Sequence, residues 1–259
     1  MSERNLELMF ERADDVDFEE GKLAYFRYNE LMQRIARKYN YPLARVVAAF
    51  VSLSPNSDYT GNLRSLISLL EGIAAGVPCD QITVSTYKHC RDRAHAYVLA
   101  DREFLKLTHG QKVLSFYHNV MTPEDNRYVT VDGHVVAAWR GQNLTMKEAI
   151  LRKKRDYVEI ADAIKRLAFR RYLLPNQYQA VLWFARKRSL GIRYDPQGQL
   201  FGERGDLWRT MRNVDDIVPY PRLKSGNSMF TERRAKHGAR SIRRQTVLLH
   251  DLWGVHEPS

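Results

Sequence analysis

The chain has 259 residues, with 41 Lys+Arg against 30 Asp+Glu and a net charge of +11. Its 44% hydrophobic and 27% charged residues suffice for a substantial buried core, which excludes disorder as the dominant state. The only two cysteines, Cys79 and Cys90, exclude a disulfide scaffold, an all-cysteine iron–sulfur cluster and a four-cysteine zinc site.

The first twenty residues, MSERNLELMFERADDVDFEE, are acidic and polar and do not read as a secretory signal. No apolar run approaches the ~18 residues needed to span a bilayer, so a reducing cytoplasmic location is expected. Residues 18–39 set apolar and charged positions at helical spacing. Residues 43–53, LARVVAAFVSL, predict a buried helix ended by Pro55. Residues 61–73 carry Leu63, Leu66, Ile67 and Leu70 on one face, and after Pro78 a further helix is expected over 84–100. Residues 102–107 and 111–121 predict two short helices around a hairpin. Pro123, Asp125 and Asn126 mark a loop, and 128–131, Tyr-Val-Thr-Val, is locally extended but too isolated to imply a sheet. Helices are expected over 134–139, 146–153, 156–170 and 176–188. Residues 191–230 read as loops, and 231–246, TERRAKHGARSIRRQT, as a basic surface segment. The expected class is all-α, with a helical domain over 1–190 and a basic, loop-rich C-terminal extension over 191–259.

The charge is lopsided. Residues 1–150 hold 18 Lys+Arg and 19 Asp+Glu, whereas residues 151–259 hold 23 and 11. A basic half on a globular chain points to a polyanion such as nucleic acid. Candidate phosphate contacts are Arg186, Lys187 and Arg188, with Arg233, Arg234, Lys236, Arg240, Arg243 and Arg244 farther on. The basic residues do not border a clean apolar helical face, so a membrane surface is not the expected partner.

Three segments stand out together: LSPNSDYTGN at 53–62, THGQKVLSFYHNV at 108–120 and VTVDGH at 129–134. Lys112 follows Gly110 at the start of a helix. Asp132 lies twenty residues on, in Val131-Asp132-Gly133-His134. In this arrangement residues 40–190 resemble the helix–hairpin–helix DNA glycosylases, the superfamily of endonuclease III and 8-oxoguanine DNA glycosylase. The resemblance implies that family's all-α fold, in two lobes around a cleft. It also implies double-stranded DNA with a flipped base as the substrate, a monomer, and no metal or other cofactor. It makes Lys112 and Asp132 the catalytic pair. Thr108, His109, Gly110 and Gln111 become the hairpin that meets the DNA backbone. Ser54 and Asn56 would sit in the turn that enters the duplex at the vacated base. Thr108 stands where the family has a first hairpin glycine, and Asn56 where it has glutamine.

The implied chemistry suits these residue types. Breaking an N-glycosidic bond puts positive charge on the sugar, which a nearby carboxylate stabilises. A lysine amine attacks C1′, and the resulting Schiff base permits strand cleavage. The amine must be neutral, and a helix N-terminus with partial desolvation favours that form. Asp132 also has the position of a helix N-cap, and one aspartate serves both ends. Tyr117, His118 and His134 are candidates for the pocket around the flipped base. Phe116, Trp139 and Trp183 read as core. Cys79, His89, Cys90 and His95 make a zinc inventory, but adjacent His89 and Cys90 point different ways on a helix, so no metal is expected.

The expected function is therefore a DNA glycosylase with associated lyase activity. Such chemistry serves repair, defence or phage DNA modification. Two alternatives remain: a transferase altering a hypermodified base on the same scaffold, and a DNA-binding protein without catalysis.

Overall fold

The computed structural model describes residues 2–57, 59–99, 110–145 and 147–191. The expected helix at 102–107, Thr108 and His109 lie outside them. So does the chain from 192 onward, with Arg233, Arg234, Lys236, Arg240, Arg243 and Arg244.

The described residues form nine α-helices and no strand. They are α1 (Ser2–Phe10), α2 (Asp15–Tyr39), α3 (Leu43–Leu53), α4 (Tyr59–Ala74), α5 (Lys88–Leu99), α6 (Gln111–Met121), α7 (Gly133–Arg140), α8 (Lys154–Arg170) and α9 (Pro175–Ser189). A single 3-10 turn, Cys79–Gln81, follows Pro78. The all-α class expected from the sequence is present. Among the described residues no helix is long and apolar enough to cross a membrane.

The ends of the helices follow from their caps. α2 begins at Asp15 rather than 18, because Asp14 accepts from the Asp17 amide at 2.8 Å and Asp17 returns a bond to the Asp14 amide. That reciprocal box satisfies two amides the helix cannot pair itself. α5 starts four residues later than expected: the Thr86 hydroxyl donates to the Pro55 carbonyl and Ser65 Oγ accepts from the Ser85 amide, tying this stretch to the α3–α4 turn. The helix expected over 146–153 is absent. Thr145 and Glu148 close one turn around buried Ala149, but Ile150, Arg152 and Lys153 are all exposed and offer no face to bury.

α1 was not expected. Its polar sequence hides Leu6, Met9 and Phe10, which share one face at helical spacing and are buried against α7, α8 and α9. Phe10 stacks flat on Tyr178 of α9, with ring centroids 4.2 Å apart. Residues Val129, Val131, Val135, Ile160, Ile164 and Leu182 complete this core. Each such side chain contributes roughly 1.5–3 kcal/mol by leaving water.

α2 and α9 come close at Gly21, where an added Cβ would stand 2.5 Å from the Val181 backbone nitrogen. Only a residue without a side chain permits that approach. α3 is buried along its length from Val46 to Leu53 and packs against α2, α4, α5 and α6. Tyr25, Tyr28, Phe50, Tyr59 and Phe116 interlock where α2, α3, α4 and α6 converge. That aromatic knot seats α6, whose first turn carries Lys112.

Candidate active site

One stripe of α6 faces the non-helical segment 128–132. Lys112, Ser115 and Asn119 fall on that stripe at i, i+3 and i+7. At the far end, Asn119 Nδ2 donates to Thr130 Oγ1 at 3.0 Å, with both residues buried. In the middle, Ser115 reaches the hydroxyl of Tyr157 from α8. That hydroxyl donates to the Val129 carbonyl at 2.8 Å and accepts from the Val131 amide at 3.1 Å. Side chains thus satisfy backbone groups that a neighbouring strand would otherwise pair. Lys112 lies in the first turn of α6, and its charge is among those felt at His134, two residues beyond Asp132.

Asp132 is the N-cap of α7. Its Oδ1 accepts from the Val135 amide at 3.0 Å, as its sequence position implies. Its Oδ2 accepts from the indole Nε1–H of Trp183 at 2.8 Å. Two oxygens are therefore oriented by two helices, and each keeps a further acceptor site for a ligand.

His134 lies one residue into α7, meeting Trp183 edge to face at 6.1 Å. Its Nδ1 is buried and has no hydrogen-bond partner among the described residues. Burial holds its pKa below the ordinary histidine value. Asp132 opposes that shift, and the charges of Lys187, Arg186 and Lys112 add to it. The imidazole is thus the point at which Asp132 and Lys112 are both felt. Lys112 itself is exposed.

The basic run at the end of α9 splits three ways, because successive helical residues turn by about 100°. Arg186 points inward and is 4% exposed. Its Nη2 donates to the Gln142 carbonyl at 3.2 Å, while its Nε has no partner among the described residues. Burial lowers its pKa and Asp132 counters that. Arg188 turns the other way, toward α2, with Nε 2.7 Å from buried Asp17 and 3.1 Å from Asp14. Lys187 lies between, its ammonium 4.3 Å from the Trp183 ring centroid. Arg186 and Arg188 thus have partners inside the fold, and the charges of both Arg186 and Lys187 are felt at His134. Farther back, Arg166 and Arg170 pair with Glu3, and Arg171 with Glu11, so much of the charge on α8 is spent on α1.

The remaining candidates are dispersed. Gly110 is the exposed N-cap of α6, with no described atom within 4 Å of where a Cβ would stand and no side-chain cap on the helix. Gln111 opens the helix beside it. Those first amides, with Lys112, offer an anion a helix N-terminus. Tyr117 and His118 sit more than a turn farther along α6. Tyr117 is buried, and His118 stacks on Tyr128 at 3.9 Å. His134, by contrast, lies against Trp183, which bonds Asp132. Ser54 closes α3 by donating to the Val51 carbonyl at 2.9 Å. Asn56 is exposed at the tip of the following turn, in the left-handed conformation with φ 53. Asparagine is among the few residues that adopt it readily.

Two residues escaped sequence reasoning. Trp183 read as core, although an indole on the face that also carries Arg186 and Lys187 was a hint of polar surroundings. Tyr157 gave no signal, since its partners lie 26 and 28 residues away. No group of three or more His, Cys, Asp or Glu among the described residues is placed to hold a metal ion.

No curated protein and no solved structure matches the chain. A family model described as a family of unknown function, DUF7178, matches residues 2–190, and the chain belongs to that family.

Proposed function

We propose that this protein is a DNA glycosylase with associated lyase activity, built on a helix–hairpin–helix type of all-α scaffold. The observation that carries the reading is the carboxylate of Asp132, held as the N-cap of α7 by two donors from two helices, with Lys112 in the first turn of α6. The charges of both are felt at the half-buried imidazole of His134. The substrate is double-stranded DNA containing a damaged or modified base, bound by a monomer in the cytoplasm or nucleoid.

The target nucleotide leaves the stack to reach the pair. As the C1′–N bond breaks, its electrons pass to the base, which takes up a proton. The carboxylate of Asp132 stabilises the positive sugar. The Lys112 amine bonds to C1′ and its proton passes to Asp132. Ring opening gives an imine, and loss of a C2′ proton then expels the 3′ phosphate. DNA covering the exposed Lys112 supplies desolvation. Lys187 and the N-terminus of α6 hold backbone phosphates, and Asn56 fills the space left by the base.

Borohydride trapping on duplexes carrying assorted modified bases tests the lysine. A covalent complex is expected with the wild type and none with Lys112→Gln. Absence of trapping on every substrate, including an abasic site, removes the nucleophile from the scheme. Base release by Asp132→Asn should fall at least 100-fold, and full activity would remove the carboxylate. A base altered but retained would indicate group transfer. Binding with no product would indicate a protein that only recognises DNA.

A further inference from the structure

Trp183 occupies the inner face of α9 and is fixed before it meets Asp132. The Lys187 ammonium lies over its face, His134 meets it edge-on, and Phe184 packs edge-on at 5.1 Å. Its one donor, Nε1–H, goes to Asp132 Oδ2 at 2.8 Å. The Val135 amide alone would leave the carboxylate free to turn, because the terminal torsion of aspartate is broad. A second donor from another helix fixes its plane.

The choice of donor also matters. An indole N–H neither accepts a proton nor carries charge. It orders the carboxylate without cancelling the negative charge that a sugar cation needs. A lysine or arginine in its place would form an ion pair and neutralise that charge. The ammonium over the ring draws electron density from the indole and strengthens the N–H as a donor.

We infer that Trp183 is a positioning residue, holding the carboxylate of Asp132 in one plane with its charge intact and aimed at the sugar of the flipped nucleotide. The catalytic consequence rests on the glycosylase reading. The tether itself does not.

The test is a double-mutant cycle in the full chain. Trp183→Phe keeps an aromatic ring and deletes the donor. Single-turnover base release should fall roughly 10- to 100-fold, as for a lost hydrogen bond to a charged group. DNA affinity should stay within about threefold of the wild type if the residue acts on the chemical step alone. In the Asp132→Ala background the same substitution should change the rate by less than about twofold, since its target is gone. An equal loss in both backgrounds, or a loss of affinity with the rate preserved, overturns the inference.

A second measurement needs no catalysis. The indole N–H resonance of Trp183, assigned by its disappearance in Trp183→Phe, should move upfield in Asp132→Ala as the carboxylate acceptor is lost. An unmoved resonance overturns the tether whatever the enzyme does. A moved resonance in a protein that releases no base from any substrate overturns the glycosylase reading and the catalytic half of the inference, and leaves the tether standing.

Discussion

Replacing Tyr157 with phenylalanine removes one oxygen and leaves the ring in place. That oxygen donates to the Val129 carbonyl and accepts from the Val131 amide, and both valines are at most 3% exposed. Water cannot easily substitute at either group. The Val131 N–H would be left buried and unpaired, at about 1–3 kcal/mol, and the loss of the second bond adds about 1 kcal/mol. The expected destabilisation is thus roughly 3 kcal/mol. For a folded region of this size it corresponds to a fall in Tm of roughly 6–12 °C. Urea denaturation followed by far-ultraviolet circular dichroism measures the loss, with an unchanged m-value showing that the denatured state is the same. A loss below about 1 kcal/mol would mean that the segment is held by packing alone, and the account of Tyr157 would fail.

Three further outcomes are expected. Gly21→Ala forces a methyl group against the Val181 backbone and should cost about 2–3 kcal/mol in the same denaturation assay; a neutral result would mean that α2 and α9 separate without penalty. His134 has a folded pKa below its unfolded value, so the unfolded chain binds the proton more readily. Its contribution to stability is complete above about pH 6.5 and is lost as pH falls through the folded value. Tm should therefore drop between pH 7.5 and 5.5, and the drop should be smaller in His134→Gln; an equal drop assigns it to other groups such as His95 and His118, which burial shifts the same way. Asn56→Gly should keep Tm within about 1 °C while Asn56→Ala, strained at positive φ, should cost about 1 kcal/mol. If both variants release base as fast as the wild type, the side chain has no place in the reaction.

Much of the helical framework was legible in the sequence, for stated reasons. α3, α6, α8 and α9 were predicted to within about two residues at their ends, because their apolar faces are wide and Pro, Gly or polar residues bound them. α1 escaped because its charged residues dominate its composition, although Leu6, Met9 and Phe10 have helical spacing. The helix drawn over 146–153 failed for the opposite reason: Thr145 and Glu148 signal a start, but no buried stripe follows. At the candidate site, the capping role of Asp132 was readable because it depends on the next three residues. The tie to Trp183 was not, since it joins positions 51 residues apart. Arg186, Lys187 and Arg188 looked like one basic patch because a linear sequence hides the rotation that sends them to Gln142, Trp183 and Asp17.

The segment before Asp132 has a consequence for how the chain tolerates change. A strand in a sheet can slip by two residues and recover the same backbone bonds. This segment cannot slip, because its partners are individual side chains: Asn119 for Thr130, and the Tyr157 hydroxyl for Val129 and Val131. The register of the segment is therefore set by chemistry at three points. The connection that leads into it is pinned as well: buried Pro123 has its carbonyl bonded by Asn176 Nδ2 at 2.7 Å. A residue inserted or deleted on either side of Pro123 must be absorbed without moving any of these ties.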